Sequence, residues 1–371
     1  MDGLVTWREN LMLKSGRERV ETLTEVWVNL SRRVRTPRNR MNIINEGAMN
    51  SHSDPGGQPQ PEKGFRAYAW AVLLGNQLVI LWGALVRATG SGAGCGGNWP
   101  LCDGQFLPPS SQLETVVEYT HRVTSGMAFL AVAGLVIWAY RRFPKGHELR
   151  KTSLWSLVFM VSESLLGASL VLFGWVVDNT SAARVIVQVV HLLNTHFLLG
   201  AIALTAWRAS GYRLASWKKA KAGDQNRLTF YLIAFLAVLV LSAAGAVTAL
   251  GDTIFPPETL SAGLQEYFSP SPHLLIRLRV WHPLIAVLVG AYLLILMRLV
   301  TSRGPRNQPQ RVLRGLLIGA FGLEMLAGAV NIYLLAPVWM QVIHLFLADL
   351  IWVYLLLWVN ETLVLESGAV S

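Results

Sequence analysis

Four histidines carry the chemistry open to this chain. His121, His191, His282 and His344 each stand in an apolar stretch, and an imidazole inside hydrocarbon is costly unless it is buried toward a partner or a cofactor. Interhelical hydrogen bonding would account for one such histidine; four at related positions ask for more. His121 and His282 lie 282 − 121 = 161 residues apart, and the same offset relates Glu163 to Glu324 and Gly167 to Gly328. His191 and His344 lie 344 − 191 = 153 apart, which also maps Gln188 onto Gln341. Two imidazoles from facing helices suit the axial positions of a haem iron. His121 with His191 and His282 with His344 therefore read as two bis-histidine haem sites. Zinc would want further close ligands, and the two cysteines lie elsewhere. His196 and His273 have no counterpart in the pattern and read as structural, while His52 and His147 fall in solvent-exposed segments.

The neighbours of these histidines differ between the two halves. Glu118 stands three residues before His121, where Arg279 stands three before His282. Positions i and i+3 share a helix face, so Glu118 looks toward the first haem. It is a candidate general base or else a group that orients its neighbours. The first half reads as catalytic and the second as a resident electron-transfer site. Arg87, Arg122, Arg184, Arg277 and Arg279 cluster near the same helix ends. They are candidate haem-propionate ligands through bidentate guanidinium contacts, or residues that snorkel to the interface. Cys95 and Cys102, the only cysteines, share a Gly-rich loop on the expected outer side, where a disulfide is the default. It either pins the loop or serves as a labile redox couple.

The elements that must position these residues follow from composition. Of 371 residues, 53% are hydrophobic and 15% charged, well below the ~25% charged of a soluble domain. Eight stretches of about 20 apolar residues, the length needed to cross a bilayer, fall near 67–87, 116–139, 153–174, 185–207, 228–250, 274–297, 314–335 and 338–359. The expected fold is all-α and membrane-integral, with eight transmembrane helices as two parallel-repeat four-helix bundles. Its parts are a polar, disordered stretch at 1–66, a first bundle at 67–207 for the substrate haem, a linker at 208–227, a second bundle at 228–360 for the resident haem, and a tail at 361–371. The formal charge of +10 does not mark a nucleic-acid binder. Twenty-seven of the 32 Lys and Arg residues lie in 1–66, 141–151, 208–227 and 298–314, all on one side of an eight-span chain. The positive-inside rule makes that side cytoplasmic, with both termini inside. Trp70, Trp138, Trp155, Trp207 and Trp358 at inner helix ends, with Trp175 and Trp339 at outer ends, would form an aromatic belt. The N-terminal stretch lacks a secretory h-region and carries acidic residues that transit peptides avoid; Met41 or Met49 is an alternative start.

Several segments together resemble the heme A synthases of aerobic bacteria and mitochondria. These are Val86 to Cys95 with TrpProLeuCys at 99–102, GluTyrThrHisArg at 118–122, HisLeuLeuAsnThr at 191–195, His282, and GlnValIleHis with AlaAsp at 341–349. The resemblance covers roughly residues 67–360, and its specific part is the first loop with GluTyrThrHisArg. Pro283, directly after His282, departs from a regular helix. The resemblance implies oxidation of the C8 methyl of haem O to the formyl of haem A with water as oxygen source. It also implies a haem b cofactor in the second half, residence in the bacterial cytoplasmic membrane among lipid, and a place in cytochrome oxidase biogenesis. Haem O is the implied substrate, and haem O synthase, an electron acceptor and a second copy of the chain are candidate partners. Two other classes stay open. A di-haem cytochrome would relay electrons to a quinone or a partner protein without chemistry on the haem. A transporter would use Glu163 and Glu324, but the spans read as unbroken.

Overall fold

A computed structural model describes residues 62–108, 112–177, 179–216, 220–221, 223–268, 273–303 and 306–368. The expectations for the N-terminal stretch, His52 included, lie outside these residues up to position 61. The helices are α1 (Lys63–Ala88), α2 (Leu113–Arg142), α3 (Glu148–Leu172), α4 (Ala182–Ala209), α5 (Gln225–Ile254), the short α6 (Leu260–Phe268) and α7 (Leu274–Leu278), α8 (Trp281–Arg303), α9 (Gln308–Tyr333) and α10 (Val338–Gly368). Among the described residues, eight segments are long and apolar enough to cross a membrane, α7 and α8 together making the sixth. At 1.5 Å per residue, even a 25-residue helix is about 38 Å long, enough to cross a hydrocarbon core of about 30 Å.

Polar caps start helices where the apolar runs begin. Ser181 Oγ accepts from Arg184 N, Asp224 Oδ1 from Asn226 N and Arg227 N, and Asn307 Oδ1 from Gln310 N. Each satisfies amides that have no partner in the first turn. His147 does the same for α3: its Nδ1 accepts from Leu149 N at 3.1 Å. Its ring is buried and stacked on Phe143, so it is not the solvent-exposed residue expected from the sequence.

The sixth span is interrupted. The chain leaves α7 at Leu278, turns through Arg279 and Val280, and restarts at Trp281. Pro283 thereby falls in a first turn, where its missing N–H costs nothing, and His282 sits beside it at the mouth of α8. The expectation of unbroken spans fails here because the proline is accommodated by restarting the helix.

Helices α1, α2, α3 and α4 pack in a closed ring, as do α5, α8, α9 and α10, and the two sets meet through α1 and α4 against α5 and α10. The buried apolar side chains crowd toward one end of each set. In the first they include Phe65, Ala69, Val132, Leu135, Leu149 and Ile202; in the second they include Tyr231, Leu293, Leu317 and Leu355. This is the end carrying the Arg- and Lys-rich connections, here the basic end. The opposite end carries the 89–112 connection, here the loop end, and the four histidines lie in that half. Trp207 and Trp358 belong to the basic-end core and are buried, whereas Trp70, Trp155 and Trp339 are exposed. Two of the seven expected belt residues are thus packing residues, because their helix faces turn inward. The C-terminal helix runs past the expected tail boundary. Buried Glu361 accepts from Trp207 Nε1 at 2.9 Å and Asn307 Nδ2 at 3.1 Å, and Glu366 pairs with Arg227 at 2.7 Å.

Candidate functional site

Each histidine enters against a glycine of a neighbouring helix. His121 of α2 faces Gly83 of α1, His191 of α4 faces Gly167 of α3, His282 of α8 faces Gly245 of α5, and His344 of α10 faces Gly328 of α9. A Cβ placed at Gly83, Gly245 or Gly328 would stand 2.9, 3.0 or 3.2 Å from the imidazole, and one at Gly167 would stand 3.7 Å away. The missing side chain is what lets a ring lie flush on the next helix. Gly83 and Gly245 went unnoticed in the sequence, although their spacing of 245 − 83 = 162 nearly repeats the histidine offset.

In the second set the His282 and His344 rings lie perpendicular, with centroids 6.1 Å apart. Two imidazole nitrogens, each about 2 Å from one metal on opposite sides, would put the ring centroids roughly 6 Å apart. The pair therefore fits the axial positions of one haem iron. His121 and His191 are within electrostatic reach of one another. One member of each pair is held by a carboxylate: His191 Nδ1 lies 3.2 Å from Glu163 Oε1, and His344 Nδ1 lies 3.1 Å from Glu324 Oε1. A carboxylate on Nδ1 selects the tautomer that leaves Nε2 as the donor to a metal. Among the described residues, neither His121 nor His282 pairs with a carboxylate.

The two halves then diverge. Glu118 is buried; its Oε2 accepts from Cys95 N at 2.8 Å and its Oε1 from Arg122 Nη2 at 2.5 Å. Arg122 Nη1 donates onward to the carbonyls of Asn98 and Leu101, each at 2.5 Å. Thr115 Oγ1 donates to Gly94 O at 2.7 Å. Gly94 presses so closely on α2 that a Cβ there would come 2.4 Å from the Glu114 backbone. Cys95 and Cys102 form a disulfide, as expected, so the loop is closed on itself and tied to α2 one helical turn from His121. The second half has the opposite charge at the matching place. Arg279 is buried, lies 3.0 Å from Asp252 Oδ1, and donates to the carbonyls of Gly251 and Phe255.

Most of the other arginines also have protein partners. Arg87 donates to Ala249 O, Thr253 Oγ1 and Gln341 Oε1, at 2.8 to 2.9 Å, crossing from the first set of helices to the second. Arg184 is buried and donates to the carbonyls of Val177 and Asn179. Arg277 is exposed on α7. A guanidinium has five N–H donors, so the three bonds of Arg87 fix its orientation and leave donors over. His273 caps α7, its Nδ1 accepting from Leu275 N at 3.3 Å.

Two groups are added by the structure. His196 is buried on α4 with Nδ1 against Leu192 O and Nε2 3.1 Å from Ser242 Oγ of α5. Asp349 is buried on α10 and accepts from Gln77 Nε2 of α1 at 2.6 Å. The offset of 153 that relates His191 to His344 also relates His196 to Asp349. His196 therefore has a counterpart in the pattern after all, hidden because the residue type changes.

Residues 66–356 match the family described as "Cytochrome oxidase assembly protein" (COX15-CtaA). Proteins of two Thermus thermophilus strains, each named protoheme IX farnesyltransferase, are 51% identical over 302 residues, 81% of this chain and 48% of theirs. A protein of Alkalihalophilus pseudofirmus named heme A synthase is 35% identical over 144 residues, 39% of this chain and 44% of its own length. Another of that name from Bacillus cereus is 43% identical over 97 residues, 26% of this chain and 31% of its own. The chain thus spans about half the length of the Thermus relatives.

Proposed function

Because the chain belongs to the cytochrome oxidase assembly protein family, we propose that it is a heme A synthase, oxidising the C8 methyl of haem O to the formyl of haem A. The substrate haem sits between His121 and His191 and a haem b between His282 and His344, in two four-helix bundles related as parallel repeats. The loop end faces outward and the basic end and both termini face the cytoplasm of a bacterium, as the arginine and lysine distribution favours. The observation that carries the reading is the contrast between equivalent positions. Glu118, Arg122 and the disulfide loop stand at the first pair; Arg279 and Asp252 stand at the second.

Conversion of a methyl to a formyl group with water releases four protons and four electrons: R–CH3 + H2O gives R–CHO + 4H+ + 4e−. The resident haem b supplies one-electron redox chemistry, and a membrane electron acceptor takes the electrons. The protein's own groups have to orient the substrate and move protons. His121 and His191 hold the substrate by its iron, and the carboxylate of Glu163 fixes the His191 ring. Glu118, one turn from His121 on the same face, accepts protons. Its bonds from Cys95 N–H and Arg122 hold it at the boundary between loop and helix. Arg87, Arg122, Arg184, Arg277 and Arg279, at the loop end, are the groups that would meet haem propionates there. Haem O synthase, as source of the substrate, and a second copy of the chain are candidate partners.

Extraction and identification of the haems in the purified protein tests this reading. Haem A or a hydroxylated haem O beside haem b supports it. Haem b alone, unchanged on supply of haem O, favours the plain di-haem cytochrome. A second reading, farnesyl transfer to protoheme IX, has the names of the Thermus relatives in its favour. About half of each of those proteins lies outside the match, and formation of haem O from protoheme by this chain alone would establish it.

A further inference from the structure

The two carboxylates behind the histidines are not equally engaged. Glu163 is shared: its Oε1 also accepts from Thr195 Oγ1 at 2.5 Å, and its Oε2 accepts from Asn194 Nδ2 at 2.6 Å. Asn194 is held in turn by Ser162 Oγ at 2.6 Å. Glu324 Oε1 makes an ion-pair contact with His344 Nδ1 at 3.1 Å, while its Oε2 is buried with no hydrogen-bond partner among the described residues. At the positions matching Asn194 and Thr195, α10 carries Leu347 and Ala348, which cannot donate from their side chains. The first carboxylate is thus diluted over three donors, and the second acts on its histidine alone.

We infer that Glu324 is a positioning residue that, through His344, sets the redox potential of the resident haem, and that Glu163 does the same more weakly for the first site through His191. This rests on the haem-ligand reading above. A carboxylate accepting from imidazole Nδ1–H makes Nε2 a stronger donor. A stronger axial donor favours the ferric over the ferrous state and lowers the potential. Its 3.1 Å contact with His344 Nδ1 is the one polar contact of Glu324 among the described residues, so its whole effect falls on one ligand.

Purified full-length protein carrying its haem b is titrated electrochemically, with the low-spin optical spectrum recorded alongside. In Glu324→Gln the haem stays low-spin, and at a fixed ambient potential the ratio of reduced to oxidised haem rises about tenfold, equivalent to ~59 mV for a one-electron couple. Glu324→Asp keeps the charge but draws it back by one methylene, so it shifts the ratio in the same direction. Should the Gln variant lose its haem, the Asp variant carries the readout. Glu163→Gln leaves the resident haem where it is in the wild type. The inference falls if Glu324→Gln titrates like the wild type, if Glu324→Asp does, or if Glu163→Gln moves the resident haem as far as Glu324→Gln. His344→Ala separates this failure from that of the parent reading. A His344→Ala protein with a full low-spin haem b overturns the ligand assignment itself; one that loses the haem, beside an unshifted Glu324→Gln, removes only the role of Glu324.

Discussion

Glu118 and Arg279 hold matching places and opposite charges, and each uses its charge to tie down chain at the loop end. Glu118 draws in the disulfide loop through Cys95 N–H and Arg122, while Arg279 draws in the end of α5 through Gly251, Phe255 and Asp252. Tethering alone does not need a carboxylate at one site and a guanidinium at the other; the proton transfer proposed for the first site would need the carboxylate. Glu118→Gln keeps an acceptor for Cys95 N–H and loses the ion pair. Haem A formation is expected to fall by ~10²–10⁴, the usual worth of general acid–base assistance, with the haem b spectrum intact; product chromatography on the purified variant measures it. Normal turnover would make Glu118 scaffolding. At the second site, His282→Ala and His344→Ala are each expected to abolish retention of haem b, read from the low-spin absorption of the purified protein. The histidines themselves were legible in the sequence because ionisable side chains in apolar runs are rare and costly. What Glu118 touches was not, since the loop that meets it lies more than 20 residues away in the chain.

At the scale of elements, the helix pairs are built around a glycine and a ring. The clearances predict a graded series: Gly83→Ala and Gly245→Ala, with a Cβ at 2.9 and 3.0 Å from the imidazole, displace their histidines, whereas Gly167→Ala, at 3.7 Å, is accommodated. For Gly245→Ala the expected outcome is a weakened or high-spin haem b spectrum; for Gly167→Ala it is haem content and turnover close to the wild type. Equal effects from all three would remove the close approach as the reason for glycine. The disulfide loop is held at several points besides its sulfur bridge. The chain-entropy account of a short disulfide loop gives about 2 kcal/mol. Changing both cysteines to serine should therefore lower thermal stability but leave more activity than any change to a haem ligand. Activity as low as in His121→Ala would mean that the cysteines take part in the redox chemistry.

At the scale of the whole molecule, the two sets of helices are joined by an apolar core at the basic end and by polar bonds nearer the loop end. Arg87 donates three hydrogen bonds to α5 and α10, and Gln77 donates to buried Asp349. Side-chain hydrogen bonds between membrane helices average about 0.6 kcal/mol each, so losing the three from Arg87 costs about 2 kcal/mol. Arg87→Met is expected to lower the unfolding midpoint in detergent while haem b stays low-spin. Loss of haem binding with an unchanged midpoint would mean that Arg87 serves the haem propionates alone and adds nothing to the joint between the sets.

The number of spans, their approximate places and the cysteine bridge follow from the chain alone. Hydropathy over 20 residues and the polar residues that break it are local properties, and two cysteines in one loop leave one partner each. Only the tertiary structure decided that Trp207 and Trp358 pack inward, that His147 is a buried cap, that Pro283 is absorbed by a helix restart, and that Glu163 and Glu324 stand behind His191 and His344. It also gave the arginines their partners. These depend on how each helix is rotated about its axis and where distant loops land, and lipid, which reads only the apolar length of a span, leaves that rotation to the contacts between helices.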